Sequence, residues 1–248
     1  MALPEFETMS VLGYRLAALG RDGAAAWCLA AVRDAEPKLL VTLNPEIIVS
    51  ARGDPALEAA LQSAELTVAD GVGVLWAAKQ FGVLLPERVP GVELTAEVLR
   101  RGGDALRVYF LGAKPGVAAR AARAAAARFG TRTAGVQHGY FKPDEVPEVV
   151  HAVAASGANL LLAGLGEGQE RFLHGHREAM GVALMIGVGG SLDVLAGEVR
   201  RTPAWTRWLG VEWAWRVGLD RRRWHRFPRL LRFVKLVRRE KAAVRRHS

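Results

Sequence analysis

The chain has 248 residues, 50% hydrophobic and 24% charged, with a formal net charge of +9. That supports one substantial core with an appendage, and it excludes a fibrous or disordered chain. A lone cysteine, Cys28, excludes an internal disulfide; no apolar run reaches the roughly 20 residues that span a bilayer; and the start MALPEFETMSVLGYRLAALG lacks a signal peptide's basic end and unbroken apolar stretch.

Short apolar runs then alternate with helical patterns. Residues 39–43 (LLVTL) read as a buried strand ended by Asn44-Pro45. Pro55 to Ala64 reads as a helix, with Asp54 as its N-cap and Pro55 at its first position. Leu66 to Ala69 is a second strand, closed by Asp70-Gly71, and Val72 to Gln80 and Val92 to Arg101 are helices. Leu106 to Leu111, Asn159 to Leu165 and Val182 to Val188 are further strands. Pro115 to Phe129, Asp144 to Ala155 and Gln169 to Met180 supply the helices between them. Nearly all-apolar strands separated by helices predict an α/β fold, Rossmann-like, with a mostly parallel sheet covered on both faces.

The last segment differs in charge. Residues 200–248 hold 16 Lys/Arg against 3 Asp/Glu, and five of the seven tryptophans: Trp205, Trp208, Trp213, Trp215 and Trp224. The chain therefore divides into a Rossmann-like domain, 1–199, and a basic, tryptophan-rich helical appendage, 200–248. Pro203 starts one expected helix and Pro228 another. In the second, Phe227, Leu230, Leu231, Val234 and Val237 form one apolar stripe, with arginines and a lysine around it. That is the pattern of a basic helix lying on an anionic membrane surface. The rival reading is a nucleic-acid-binding protein, since arginines with interleaved aromatics also suit phosphate backbones and bases. A tail packed on its own domain is the third.

In an open parallel sheet, ligands bind beyond the carboxyl ends of the strands. Thr42 and Asn44, two apart, are expected to face one side there, and Gly73 to permit close approach by a ligand. Asp70 is a candidate general base; the alternative is that it merely caps the next helix. Glycine turns at Gly112 and at Gly187-Val188-Gly189-Gly190 can cradle phosphate with backbone N–H groups. No zinc spacing and no D-x-D motif occurs, so a metal clamp on a nucleotide sugar is not expected.

Several blocks in order carry a family resemblance: Thr42-Leu43-Asn44-Pro45, Ala69-Asp70-Gly71-Val72-Gly73, Glu87-Arg88-Val89-Pro90-Gly91, His138-Gly139-Tyr140-Phe141, Gln169-Glu170, Gly187-Val188-Gly189-Gly190-Ser191 and Arg201-Thr202-Pro203. From about residue 10 to 240 the chain resembles the WecG/TagA/CpsF glycosyltransferases. The resemblance implies an inverting, metal-independent, cofactor-free transferase that moves N-acetylmannosamine from a UDP-sugar to the 4-hydroxyl of GlcNAc on undecaprenyl diphosphate, in cell-surface polysaccharide or teichoic-acid-type synthesis. A different UDP-sugar donor is the alternative within the family. It implies Asp70 as the base, and Thr42, Asn44, Arg88, Gln169, Tyr140, Gly112 and Gly189 as substrate-binding. It also implies tail arginines Arg207, Arg216, Arg221 and Arg223 at the diphosphate or membrane. The expected partners are the UDP-sugar, the polyprenyl-diphosphate acceptor and an anionic membrane, with no nucleic acid and with homo-oligomerisation open; the expected place is the inner face of the cell membrane. Two departures stand out. The family's Pro-Lys before Gln-Glu reads Glu167-Gly168, and its G-T-D-L block reads Gly91-Val92-Glu93-Leu94.

Overall fold

A computed structural model describes residues 3–34, 36–198 and 227–247. It opens with a hairpin, β1 (Thr8–Val11) and β2 (Tyr14–Ala17), around Leu12 and Gly13. Both turn residues have positive φ, 54° and 82°, the geometry whose twist matches a two-residue hairpin. Helix α1 (Arg21–Ala31) follows and buries Trp27 and Cys28. Sequence patterning assigns neither element, because Leu-Gly is not a recognised hairpin pair and α1 is too uniformly alanine-rich to show a stripe.

The central sheet contains β3 (Lys38–Leu43), β4 (Leu66–Ala69), β5 (Arg107–Gly112), β6 (Arg132–Gln137), β7 (Leu160–Gly164) and β8 (Leu184–Gly187). Their order is β4-β3-β8-β7-β5-β6, and every pairing is parallel. This is the Rossmann-like fold that the apolar runs predict. All residues of β3, β4 and β8 are buried, as a sheet covered on both faces requires. β6 is the strand that the sequence hides. It is an edge strand of sequence RTAGVQ with no wholly buried residue, so it carries no apolar run.

The helices divide between the two faces. α2 (Pro45–Ala51), α3 (Pro55–Gln62), α4 (Val72–Gln80), α7 (Val146–Ala155) and α8 (Gln169–Met180) bury apolar residues against Leu39, Val41 and Leu43 of β3 and their neighbours. α1, α5 (Gly91–Gly102), α6 (Val117–Phe129) and α9 (Ser191–Leu195) pack on the opposite face, against Leu40, Val68, Phe110 and Ile186. The strand period of two decides this division. Asp54 caps α3 as its sequence predicts, its carboxylate accepting from Leu57 N–H at 3.0 Å. α6 turns its alanines inward at positions 118, 121, 122 and 125, and Gly130 in the left-handed conformation ends it.

The description resumes at α10 (Phe227–His247), which lies against α2 and α4. Phe233 and Val237 are fully buried there, and Phe233 meets Trp76 with ring centroids 6.4 Å apart. Ion pairs and hydrogen bonds fasten the helix at both ends: Arg229 to Glu167, Arg52 to Glu240 at 2.9 Å and Lys241 to Gln80 at 2.9 Å. The expected apolar stripe is thus rotated. Leu231, placed on it, is 50% exposed, while Phe233, left off it, is wholly buried. Two overlapping apolar tracks run along this helix, and contact with Gly73 and Trp76 selects the one that carries Phe233. Arg232, Lys235, Arg238 and Arg239 are exposed. The boundary at residue 200, the helix expected from Pro203 and all five tail tryptophans fall outside the described residues.

Candidate active site

The carboxyl ends of the strands form a rim lined by polar turns. β3 leads to α2 on one face and β8 leads to α9 on the other, so a crevice opens between these neighbours. Thr42 and Asn44 lie at the β3 side of it and the turn Gly187–Gly190 at the β8 side. Asp70 follows β4, one strand further out.

Asp70 is partly exposed, and its Oδ2 accepts from Gly91 N–H at 3.3 Å. Gly91 is the first residue of α5. Asp70 therefore does not cap α4, whose N-cap is Gly71 with no side-chain bond. It sits instead at the N-terminus of a different, twelve-residue helix, where the aligned peptide dipoles favour negative charge. The loop before α5 is fixed beside it, since Val89 N–H donates to Ala69 O at 2.8 Å. That bond places the partly buried Arg88 next to the end of β4.

Thr42 is buried and reaches the same helix start; a Cβ on Gly91 would stand 3.0 Å from its Oγ1. Asn44 has a structural task as well. Its Oδ1 accepts from Glu46 N–H at 2.9 Å and Ile47 N–H at 3.0 Å, capping α2. The Nδ2 end is the one it can offer to a ligand. Asn44→Asp keeps an acceptor for the cap, so its melting temperature should stay near wild type, whereas Asn44→Ala should cost about 1 kcal/mol. Equal destabilisation in both, read by thermal melts, would remove the capping role.

Gln169 and Gly189 hold each other. Gln169 Oε1 accepts from Gly189 N–H at 3.1 Å, and its Nε2 donates to Glu170 Oε1 at 2.8 Å. The amide is buried and engaged at both ends. Gly189 N–H is accordingly committed to Gln169, and the expected phosphate cradle at that turn has one donor fewer. Gly73 also differs from its expectation. A Cβ there would stand 2.6 Å from Pro45 Cγ and 3.6 Å from Phe233, so the residue admits protein atoms rather than a ligand.

Gly112 belongs to a close backbone stack. Its φ is 128°, and a Cβ would overlap the Gly164 carbonyl; a Cβ on Gly164 would in turn stand 2.6 Å from Gly189 O. Tyr140 lies on the loop after β6, 67% exposed, and the loop is pinned by Gly139 N–H donating to Ala113 O at 2.9 Å. Asp70 and Gly112 stand at strand ends four places apart, about 19 Å at ~4.8 Å per strand. They cannot touch the same reacting atom. Tyr140, one strand beyond, belongs with Gly112 to the far end of any shared ligand.

Two acidic residues at the rim have partners that the sequence does not reveal. Glu170 is 4% exposed, and burial pushes its carboxyl above the usual range. Glu167, the departure noted above, pairs with Arg229 of α10, which holds that guanidinium firmly protonated. The other departure is likewise matched: Glu93 pairs with Arg21 at 3.2 Å. The one anion gained, Glu167, thus has a cation beside it, and the lengthened carboxylate of Glu93 has one too. The tail arginines Arg207, Arg216, Arg221 and Arg223 lie outside the described residues.

Fold and rim together are those of a Rossmann-like α/β protein with its crevice at the carboxyl edge of the sheet. The chain belongs to the glycosyl transferase WecG/TagA/CpsF family, whose model matches residues 9–247, and it is a glycosyltransferase. A relative from Bacillus spizizenii (strain ATCC 23059 / NRRL B-14472 / W23), named N-acetylglucosaminyldiphosphoundecaprenol N-acetyl-beta-D-mannosaminyltransferase, is 34% identical over 212 residues. The match covers 84% of this chain and 82% of the relative.

Proposed function

We propose that this chain transfers N-acetylmannosamine from a UDP-sugar to the 4-hydroxyl of GlcNAc on undecaprenyl diphosphate, with inversion and without a metal. The observation that carries the proposal is the position of Asp70 at the rim one strand out from the crevice, meeting with Thr42 at the start of α5, in a chain 34% identical to a transferase named for that acceptor. Asp70 accepts the proton of the attacking hydroxyl. The acceptor oxygen bonds to the anomeric carbon as that carbon's bond to UDP breaks, and no covalent enzyme intermediate is needed. Arg88, beside the end of β4, is assigned to the departing diphosphate or to the acceptor. Asn44 Nδ2 and Thr42 orient the reacting sugars, and the Gly112 and Tyr140 end of the rim receives the rest of the donor. The assignment of Arg207, Arg216, Arg221 and Arg223 to the diphosphate or the membrane rests on the resemblance.

The lipid-linked acceptor places the reaction at a bilayer surface. Among the described residues no helix is long and apolar enough to cross a membrane. α10 instead offers four exposed cations, Arg232, Lys235, Arg238 and Arg239. Near an anionic leaflet these contribute about 4 kcal/mol at ~1 kcal/mol each. The proposed location is peripheral, on the inner face where UDP-sugars are made.

The test is a donor screen with purified protein and a polyprenyl-diphosphate-GlcNAc analogue, in the presence and absence of a chelator. Expected is a disaccharide-lipid from UDP-N-acetylmannosamine with inverted anomeric configuration and undiminished by chelation. Transfer only from another UDP-sugar overturns the donor assignment, and loss of transfer on chelation overturns the metal-free one.

A further inference from the structure

Among the described residues, the proposed chemistry leaves one buried ionisable group at the rim unused. Glu170 is the second residue of α8, 4% exposed, and its Oε1 accepts from Gln169 Nε2 at 2.8 Å. Gln169 Oε1 accepts from Gly189 N–H at 3.1 Å. A primary amide has one accepting end and one donating end. An acceptor at Nε2 therefore fixes which way round the amide stands, and only that orientation presents an oxygen to Gly189. A rotated amide would set Nε2 against the Gly189 N–H, two donors face to face, in a buried place where an unmatched polar contact is costly.

The turn rests directly on this pair. A Cβ on Gly187 would stand 2.7 Å from Gln169 Nε2 and 3.1 Å from Glu170 Oε1. Gly187 ends β8, and the turn beyond it forms the β8 wall of the crevice, across from Thr42 of β3 and Asn44 just past it. The start of α8 thus reaches under the neighbouring strand and sets the height and direction of its exit.

We propose that Glu170 is a positioning residue for the donor. By orienting the Gln169 amide it holds the Gly187–Gly190 turn in the conformation that receives the nucleotide-sugar, without itself touching the reacting atoms. The proposal rests on the reading of this rim as the transferase site. A carboxyl acting only as an acceptor can be replaced by another acceptor of the same shape, whereas an acid or base in the reaction cannot.

The experiment compares Glu170→Gln, which keeps an oxygen for Gln169, with Glu170→Met, which keeps the volume but removes the acceptor. Two readouts are taken: amide hydrogen exchange at residues 187–190 in the free protein, and UDP affinity with donor KM and kcat in the full chain. Glu170→Met is expected to exchange at Gly189 at least tenfold faster, to raise donor KM about tenfold and to leave kcat within threefold. Glu170→Gln is expected to match wild type in all of these. Wild-type exchange and KM in Glu170→Met overturn the proposal. Equal loss of kcat in both variants overturns it too, by making the carboxyl a participant. If the wild-type protein binds no UDP, the transferase-site reading fails, while the exchange rates still decide whether the brace exists. Should Glu170→Met fail to fold, loss of activity in a folded Glu170→Gln is sufficient to overturn the positioning role.

Discussion

Asp70→Asn is expected to lower kcat by about 10²–10⁴-fold, the range for removing a general base, while leaving UDP affinity within about threefold. The structure makes this substitution informative because it separates two tasks of one side chain. The Oδ2 atom accepts from Gly91 N–H at the start of α5, and an asparagine oxygen can do the same. α5 therefore keeps its tether, Thr42 keeps its neighbour, and the melting temperature should stay within a few degrees of wild type. What asparagine cannot do is take a proton from the acceptor hydroxyl. Asp70→Ala removes the acceptor for Gly91 as well, so it should add a loss of stability of about 1 kcal/mol to the same loss of turnover. Turnover with donor and acceptor, calorimetric UDP titration and thermal melts on the three proteins decide the matter. A kcat for Asp70→Asn within tenfold of wild type would take the base away from this residue and leave Asp70 as a tether.

The rim was more legible in the sequence than the mechanics beneath it. Polar residues at the ends of nearly all-apolar strands, such as Thr42 after Leu39-Leu40-Val41 and Asp70 after Leu66 to Ala69, announce the carboxyl edge of a buried sheet. The order of those strands announces nothing. That β8 separates β3 from β7, and so makes Gln169 a neighbour of Gly189, is a tertiary fact with no local signature. Gln169 could be named as a site residue from its motif, but its buried bond to Glu170 could not. β6 was hidden for a related reason: an edge strand buries little, so selection for apolar residues is weak along RTAGVQ. In α10 the composition was read correctly and the rotation was not. Val237 completes either track by helical spacing, with Leu230 and Val234 or with Phe233, and only the surface formed by Gly73 and Trp76 selects Phe233 over Leu231.

Phe233→Ala is expected to release α10 from the domain. Phe233 is fully buried against Trp76 and the Gly73 backbone, and truncating such a phenylalanine costs about 3–5 kcal/mol. The polar fastenings at the helix ends are weaker. Arg229 with Glu167 and Arg52 with Glu240 are pairs of partly exposed groups, worth about 0–1 kcal/mol each. Packing therefore outweighs pairing, and Arg229→Ala should leave the helix docked where Phe233→Ala does not. Amide hydrogen exchange reads this directly. In Phe233→Ala the α10 amides should lose most of their protection while those of β3 and β7 keep theirs; retained protection in α10 would show that the ion pairs hold the helix. The same variant probes the membrane assignment, because Arg232, Lys235, Arg238 and Arg239 lie on the exposed side and are untouched. Co-sedimentation with anionic vesicles should persist in Phe233→Ala and fall by at least tenfold when those four residues are changed to glutamate. Vesicle binding that survives the charge reversal, or binding to DNA in place of vesicles, would detach this helix from the membrane.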